Sequence, residues 1–153
     1  NEAHYNLTGQ FKNHSIKKTY LAVVEGRVQF DEGVIDAPIA TDARNRQRMK
    51  VNFACARPAR SEYKVIKRFK DFSVLELFPI TGRTHQLRVH MKYLGHPIIG
   101  DKKYPGRFKF SRLGLHAKSL SLSHPKSQEQ MEFISPIPAE IADFIDNLEK
   151  QTK

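Results

Sequence analysis

Residues 81–90 read TGRTHQLRVH, and they hold the densest set of reactive side chains in the chain. A turn containing Gly82 leads into a helical pattern, and Arg83, His85 and Arg88 crowd that junction. The start of a helix offers free N–H groups to anions. His85 and Arg88 are three residues apart and would share a face. Such a cluster can hold a carboxylate or a phosphate; the plainer alternative is a capped helix with surface arginines. His85, His90 and His96 stand five and six apart, so they do not gather on one helix face. Structural and catalytic zinc sites use tighter, repeated ligand spacings, so no metal is expected. Cys55 is the one cysteine, without a His motif around it, and reads as a small buried hydrophobe. No serine lies in a Gly-x-Ser-x-Gly turn, so a hydrolase triad is unsupported.

Two further groups carry alternatives. Tyr20 alternates with Ala22 and Val24, which puts all three on one face of a strand. It is either a core aromatic or a stacking platform for a base beside a basic groove. Arg44, Arg46, Arg48 and Lys50 alternate as well. In an extended chain they would project from one side as a phosphate-contacting stripe; otherwise they are a solvated strand face or loop.

The elements that must position these groups follow from periodicity. Ala3, Leu7 and Phe11 make one helical stripe over residues 2–12. Residues 18–25 read as a strand ended by Gly26. Residues 27–60 are loop-rich, with short strands expected near 34–39 and 49–53. Residues 62–69 and 72–79 are β-rich runs joined at Lys70-Asp71, a hairpin. Thr84 is placed to cap a helix ending at Leu94, with Leu87, Met91 and Leu94 as its apolar stripe and Gly95 as its stop. Residues 113–123 and 129–134 suggest two more strands. Pro138 opens a last helix through about residue 149, with Ile141, Phe144, Ile145 and Leu148 on one face. Strands outnumber helices and neighbour one another as hairpins do. The expected class is α+β, with a mixed, largely antiparallel sheet and flanking helices, in a single domain over 1–153.

Composition removes other classes. The chain has 153 residues and a formal charge of +10, with 1 cysteine and no tryptophan. One cysteine makes no internal disulfide, which excludes a stapled secreted scaffold. No apolar run reaches the roughly 20 residues of a membrane-spanning helix. The charge is uneven: residues 43–112 hold 18 basic and 4 acidic residues, whereas each flanking third is slightly acidic. A folded, cytoplasmic protein with a polyanion partner is the expectation.

The order of segments resembles the RluA-type pseudouridine synthases, which modify ribosomal or transfer RNA. KTYLAVVEG at 18–26 is similar to that family's tyrosine motif, and TGRTHQLRVH at 81–90 to its basic motif. LGHPIIGD at 94–101, LGLHA at 113–117 and FISP at 133–136 follow in order. The resemblance runs from about Ala3 to Leu148. It implies isomerisation of uridine to pseudouridine by base flipping, with no metal and no organic cofactor. It implies that Tyr20 stacks on the flipped base and takes part in proton removal. Arg88 would pair with the essential aspartate, and Leu87 and Leu115 would line the pocket. Arg83 and His85 would fix the loop or touch RNA, while Arg44, Arg46, Arg48 and Lys50 stay the candidate RNA-contacting stripe read from their spacing.

The resemblance also implies a nucleophilic aspartate in an Arg-Leu-Asp motif before the first helix. No such motif occurs in this sequence. The expectation is that the chain is the C-terminal part of a catalytic domain, inactive alone, whose sheet is incomplete and leaves an edge open. The competing expectation is a non-catalytic, basic RNA-binding module.

Overall fold

The computed structural model describes residues 1–13, 15–54 and 57–152. Three helices and eight strands run along these residues, with six strands between the first two helices and two between the last two. They are α1 (Glu2–Lys12), β1 (Lys17–Glu25), β2 (Glu32–Asp36), β3 (Ile39–Thr41), β4 (Met49–Val51), β5 (Arg60–Arg68), β6 (Phe72–Pro79), α2 (Gln86–Leu94), β7 (Leu115–Ser123), β8 (Gln130–Ile134) and α3 (Ala139–Gln151). Six strands form one sheet in the order β2-β5-β6-β1-β7-β8, and β3 and β4 pair apart from it. Every strand pairing is antiparallel. The α+β class expected from the sequence is the one found; the expected hairpin over 62–79 is β5–β6.

β1 lies inside the sheet, and its alternation sorts its side chains to two cores. Ala22 and Val24 join Leu75, Leu77, Leu87 and Met91 on the α2 side, with Tyr20 packed against them. Leu21 and Val23 join Phe69, Val74, Ile99, Ile141 and Leu148 on the α3 side. Phe144 and Ile145 pack onto that second cluster, so the apolar face read from α3 is the face it buries. α1 buries no residue. Gln10 ties it down instead, its Nε2 donating to Ser123 O at 2.7 Å and its Oε1 accepting from Ser123 N–H at 2.8 Å. At the far edge of the sheet, β8 leaves Phe133 and Ile134 exposed.

Two local expectations are corrected. Residues 44–48 are not extended. Arg44 N–H donates to Asp42 Oδ1 (2.9 Å) and Gln47 N–H to Asn45 Oδ1 (3.0 Å), while Asp42 N–H reaches Arg48 O (2.9 Å). Short polar side chains thereby capture the backbone in turns. Arg44 and Arg46 sit on the tip of the β3–β4 hairpin, Arg48 at its exit and Lys50 in β4, so no single stripe forms. Thr84 does not cap α2. The residue before the helix is His85, in the left-handed conformation (φ 54°) and without a capping bond from its side chain. Gly95 does end α2, with φ 91°.

Candidate active site

A polar network holds the Gly82 turn against the sheet. The Gln86 side chain donates through Nε2 to Arg60 O (2.8 Å) and Ser61 Oγ (2.9 Å). Its Oε1 accepts from Thr81 Oγ1 (2.6 Å) and from Arg83 N–H (3.0 Å). Thr81 Oγ1 in turn accepts from Arg60 N–H at 2.9 Å. His90 is fully buried one turn further on, with Nε2 at 2.8 Å from Ala37 O and Nδ1 at 2.8 Å from Ser61 Oγ. A carbonyl only accepts, so Nε2 carries the proton and Nδ1 accepts from Ser61. Burial holds this imidazole below its ordinary pKa, against the opposing pull of the Ala37 carbonyl. Gln86 does what was expected of Thr84: it satisfies the backbone ahead of the helix.

This brace sets one wall of a cleft of about 260 Å³. Lys18 and Tyr20 line it from β1, and Gly82, Arg83, His85 and Leu87 from the turn and α2. Four residues singled out in the sequence therefore meet here, though Tyr20 and Leu87 are far apart along the chain. Tyr20 stands opposite Leu77 on one side and Ala117 on the other, with a register shift between Thr19 and Tyr20. Its hydroxyl bonds to none of the described residues. Leu115 stands opposite Ala22 and packs on the same cluster as Tyr20 and Leu87, but it does not line the cleft. Arg83 reaches away, Nε donating to Pro58 O at 3.0 Å.

Arg88 lies one residue beyond Leu87. Within this chain its partner is Asp101: Nε donates to Oδ2 at 2.9 Å and Nη2 to Oδ1 at 2.7 Å. The arginine side chain is 19% exposed and the aspartate side chain 0%. Burial alone would push the Asp101 carboxyl up. The guanidinium and the N–H groups of Tyr104 and Lys103 outweigh it and hold the carboxyl below its usual value. Arg88 is pushed up in turn, chiefly by its bond to Asp101. The Tyr104 ring lies over the guanidinium, 5.3 Å from centroid to Cζ. The Tyr104 hydroxyl sits 2.9 Å from His85 Nδ1 and accepts from Met49 N–H at 2.8 Å. His85 is held below its ordinary pKa, first by burial and then by the Arg88 and Lys103 charges. So His85 links the cleft to the Arg88–Asp101 pair through Tyr104.

Asp101, Tyr104, Gln86 and Ser61 carried no site expectation. Asp101 does stand in the LGHPIIGD segment, which was the one signal available. The three histidines go to three places, since His96 Nδ1 bonds Glu25 O at 2.8 Å. Among the described residues no group of three or more His, Cys, Asp or Glu could hold a metal, and no helix is long and apolar enough to cross a membrane. Cys55 lies outside the described residues. The basic hairpin tip stands apart from the cleft. Met49, Val51 and Phe53 face Val89 and Tyr93 of α2 across an apolar groove, with Lys50 and Lys92 on its lining.

Comparison with known proteins places this arrangement. Residues 1–93 match the family described as RNA pseudouridylate synthase. An uncharacterized RNA pseudouridine synthase of Bacillus subtilis, YlyB, is 43% identical over 150 residues, covering 97% of this chain and 49% of that protein. The dual-specificity RNA pseudouridine synthase RluA of Escherichia coli is 42% identical over 138 residues, covering 88% of this chain and 63% of that protein. The structure of human RNA pseudouridylate synthase domain containing 1 aligns with a TM-score of 0.76 at 26% identity, covering 95% of this chain and 70% of that one. The chain belongs to the RNA pseudouridylate synthase family, with the RluA-type members. It spans about half the length of the first of these relatives.

Proposed function

We propose that the protein containing this chain isomerises uridine to pseudouridine in RNA, and that this chain is the C-terminal portion of its catalytic domain. The observation that carries the proposal is the meeting of Tyr20, Leu87, Arg83 and His85 around one cleft, next to a fixed Arg88. A base must leave its stack to be worked on, and a cleft that sets the Tyr20 ring and Leu87 among polar turn residues suits an extruded uracil. Tyr20 stacks on the base and assists proton removal. Arg88 pairs with a nucleophilic aspartate supplied from outside these residues. Ribosomal RNA is the first candidate substrate and transfer RNA the second, in the cytoplasm. The strongly basic middle of the chain supports a polyanion substrate, whose phosphates the Arg44, Arg46, Arg48 and Lys50 hairpin would contact outside the cleft.

The test is a uridine-to-pseudouridine assay with the full-length protein on ribosomal RNA. Turnover is expected, and Tyr20→Phe should lower it by about 10² to 10⁴, the range for losing a proton-transfer group. Residues 1–153 alone should bind RNA without turnover. A full-length protein that binds RNA yet forms no pseudouridine in ribosomal or transfer RNA would leave the RNA-binding module as the reading.

A further inference from the structure

We infer that Asp101 is the positioning residue for Arg88: it clamps one edge of the guanidinium so that the other edge is presented to a second carboxylate. This rests on the function proposed above, since the second carboxylate is the nucleophile supplied from outside the chain.

The bonding pattern is specific. Asp101 takes the side of the guanidinium made by Nε and Nη2. No other acceptor among the described residues bonds Arg88, so the end-on edge, Nη1 with the second Nη2 hydrogen, stays open. A guanidinium carries five N–H donors in a rigid plane and can serve two carboxylates at once, one on each edge. The side-on fork fixes the plane of the group and therefore the direction of the open edge.

Asp101 is itself immobilised. Its Oδ1 also accepts from Lys103 N–H and Tyr104 N–H, both at 3.0 Å. Its own N–H reaches Ile98 O at 3.3 Å. Gly100 before it has φ +72°, and a Cβ there would collide with the Arg112 carbonyl, so the backbone has one route through this turn. The Tyr104 ring covers a face of the guanidinium, and its hydroxyl is held from α2 by His85 and from β4 by Met49. Arg88 thus has its Nε edge and one face enclosed by groups that cannot swing away. A surface arginine would have to order its long side chain when the second carboxylate arrives; this one is ordered already.

The charge follows the same logic. Asp101 stays ionised at neutral pH, and the Arg88–Asp101 pair has no net charge. The nucleophile then meets a donor array fixed in direction whose field is partly cancelled. That holds an anion in place without making it a poor nucleophile.

A double-mutant cycle in the full-length enzyme separates positioning from general stability. Asp101→Asn keeps the shape but turns a donor toward Arg88 Nε. It should lower kcat by about tenfold to hundredfold, with KM within about threefold, as expected for a misplaced reacting group. Arg88→Lys, which has no fork, should cost a similar factor. Both together should be no worse than the worse single variant, because Asp101 acts only through Arg88. Multiplying penalties, or Asp101→Asn within threefold of wild-type kcat, would overturn the inference. Should Asp101→Asn fail to fold, Asp101→Glu takes its place in the cycle; it keeps the charge, displaces the fork by a methylene and is expected to lose kcat likewise. A readout independent of turnover separates this inference from the proposed function. The Arg88 Nε–H proton, locked on Oδ2, should give a slowly exchanging NMR resonance in the wild type that Asp101→Asn loses. Its absence from the wild type would refute the clamp even in an active enzyme, and its presence would support the clamp even if no pseudouridine forms.

Discussion

The Arg88 junction and the tip of the β3–β4 hairpin are both cationic, and they are built in opposite ways. At the junction the guanidinium is largely enclosed, its carboxylate partner is fully buried, and Tyr104 ties it to α2 and β4. At the tip, Arg44 and Arg46 are exposed, and the bonds that shape the turn run between residues two to six apart along the chain, with one tether from outside, Lys103 Nζ donating to Gln47 O at 3.2 Å. The first design makes one charge immobile and binds function to stability. The second keeps several charges free to follow a phosphate backbone and leaves the fold indifferent to them. The lesson is that net charge names the partner, while burial decides whether a cation positions an atom or collects counter-ions.

Four measurements break or sharpen that contrast. The largest effect is expected from Arg88→Ala. It strands a buried carboxylate, so the full-length protein should lose about 3–5 kcal/mol of stability by denaturant unfolding and its turnover as well. Retention of both would erase the distinction between the two regions. Next comes Ser61→Ala, which leaves His90 Nδ1 and a Gln86 N–H without their partner. A cost of about 1–3 kcal/mol is expected, as for unpaired buried polar groups.

Acid should act on the same side. His90 is neutral and depressed in the native state, so only the unfolded chain takes up a proton there as pH falls past its unperturbed value. Stability that is intact above about pH 6.5 is therefore lost below it, and His90→Gln should flatten that part of the curve. The smallest effect on the fold belongs to the tip. Replacing Arg44, Arg46 and Lys50 together with alanine should leave the melting temperature unchanged within about 2 °C, as for surface substitutions. It should also make the salt dependence of RNA binding shallower by about 2 to 3 in log–log slope. An unchanged slope would remove the hairpin from the RNA interface.

How far each region was legible in the sequence follows from the range of its interactions. The β5–β6 hairpin and α3 were readable because period and turn residues act over a few positions. The cleft was readable in its members, and the resemblance rather than periodicity tied Tyr20 to the 81–90 segment. Arg44 to Lys50 stayed open between stripe and loop because alternation of charge imitates a strand, and the loop is found because Asp42 and Asn45 bend the backbone first. Thr84 misled because a good capping residue lost to a longer side chain: Gln86 reaches both β5 and the turn. Asp101 gave no signal beyond its place in LGHPIIGD, since it meets Arg88 only when the loop after α2 folds back on the helix, and Ser61 gave none, since its partners lie on α2, 25 and 29 residues on.

Tyr20 stands between Leu77 and Ala117, partners made much later in the chain. Contacts of such long sequence separation close large loops, and loop closure slows folding. During synthesis the tyrosine therefore emerges well before either flanking strand exists. The hairpin and α2 can order from near neighbours, and Tyr20 gains its first flanking strand with β6, but its second only with β7. A nascent chain halted before residue 115 would already hold every residue that lines the cleft, with Tyr20 paired to β6 on one side and its other side still open.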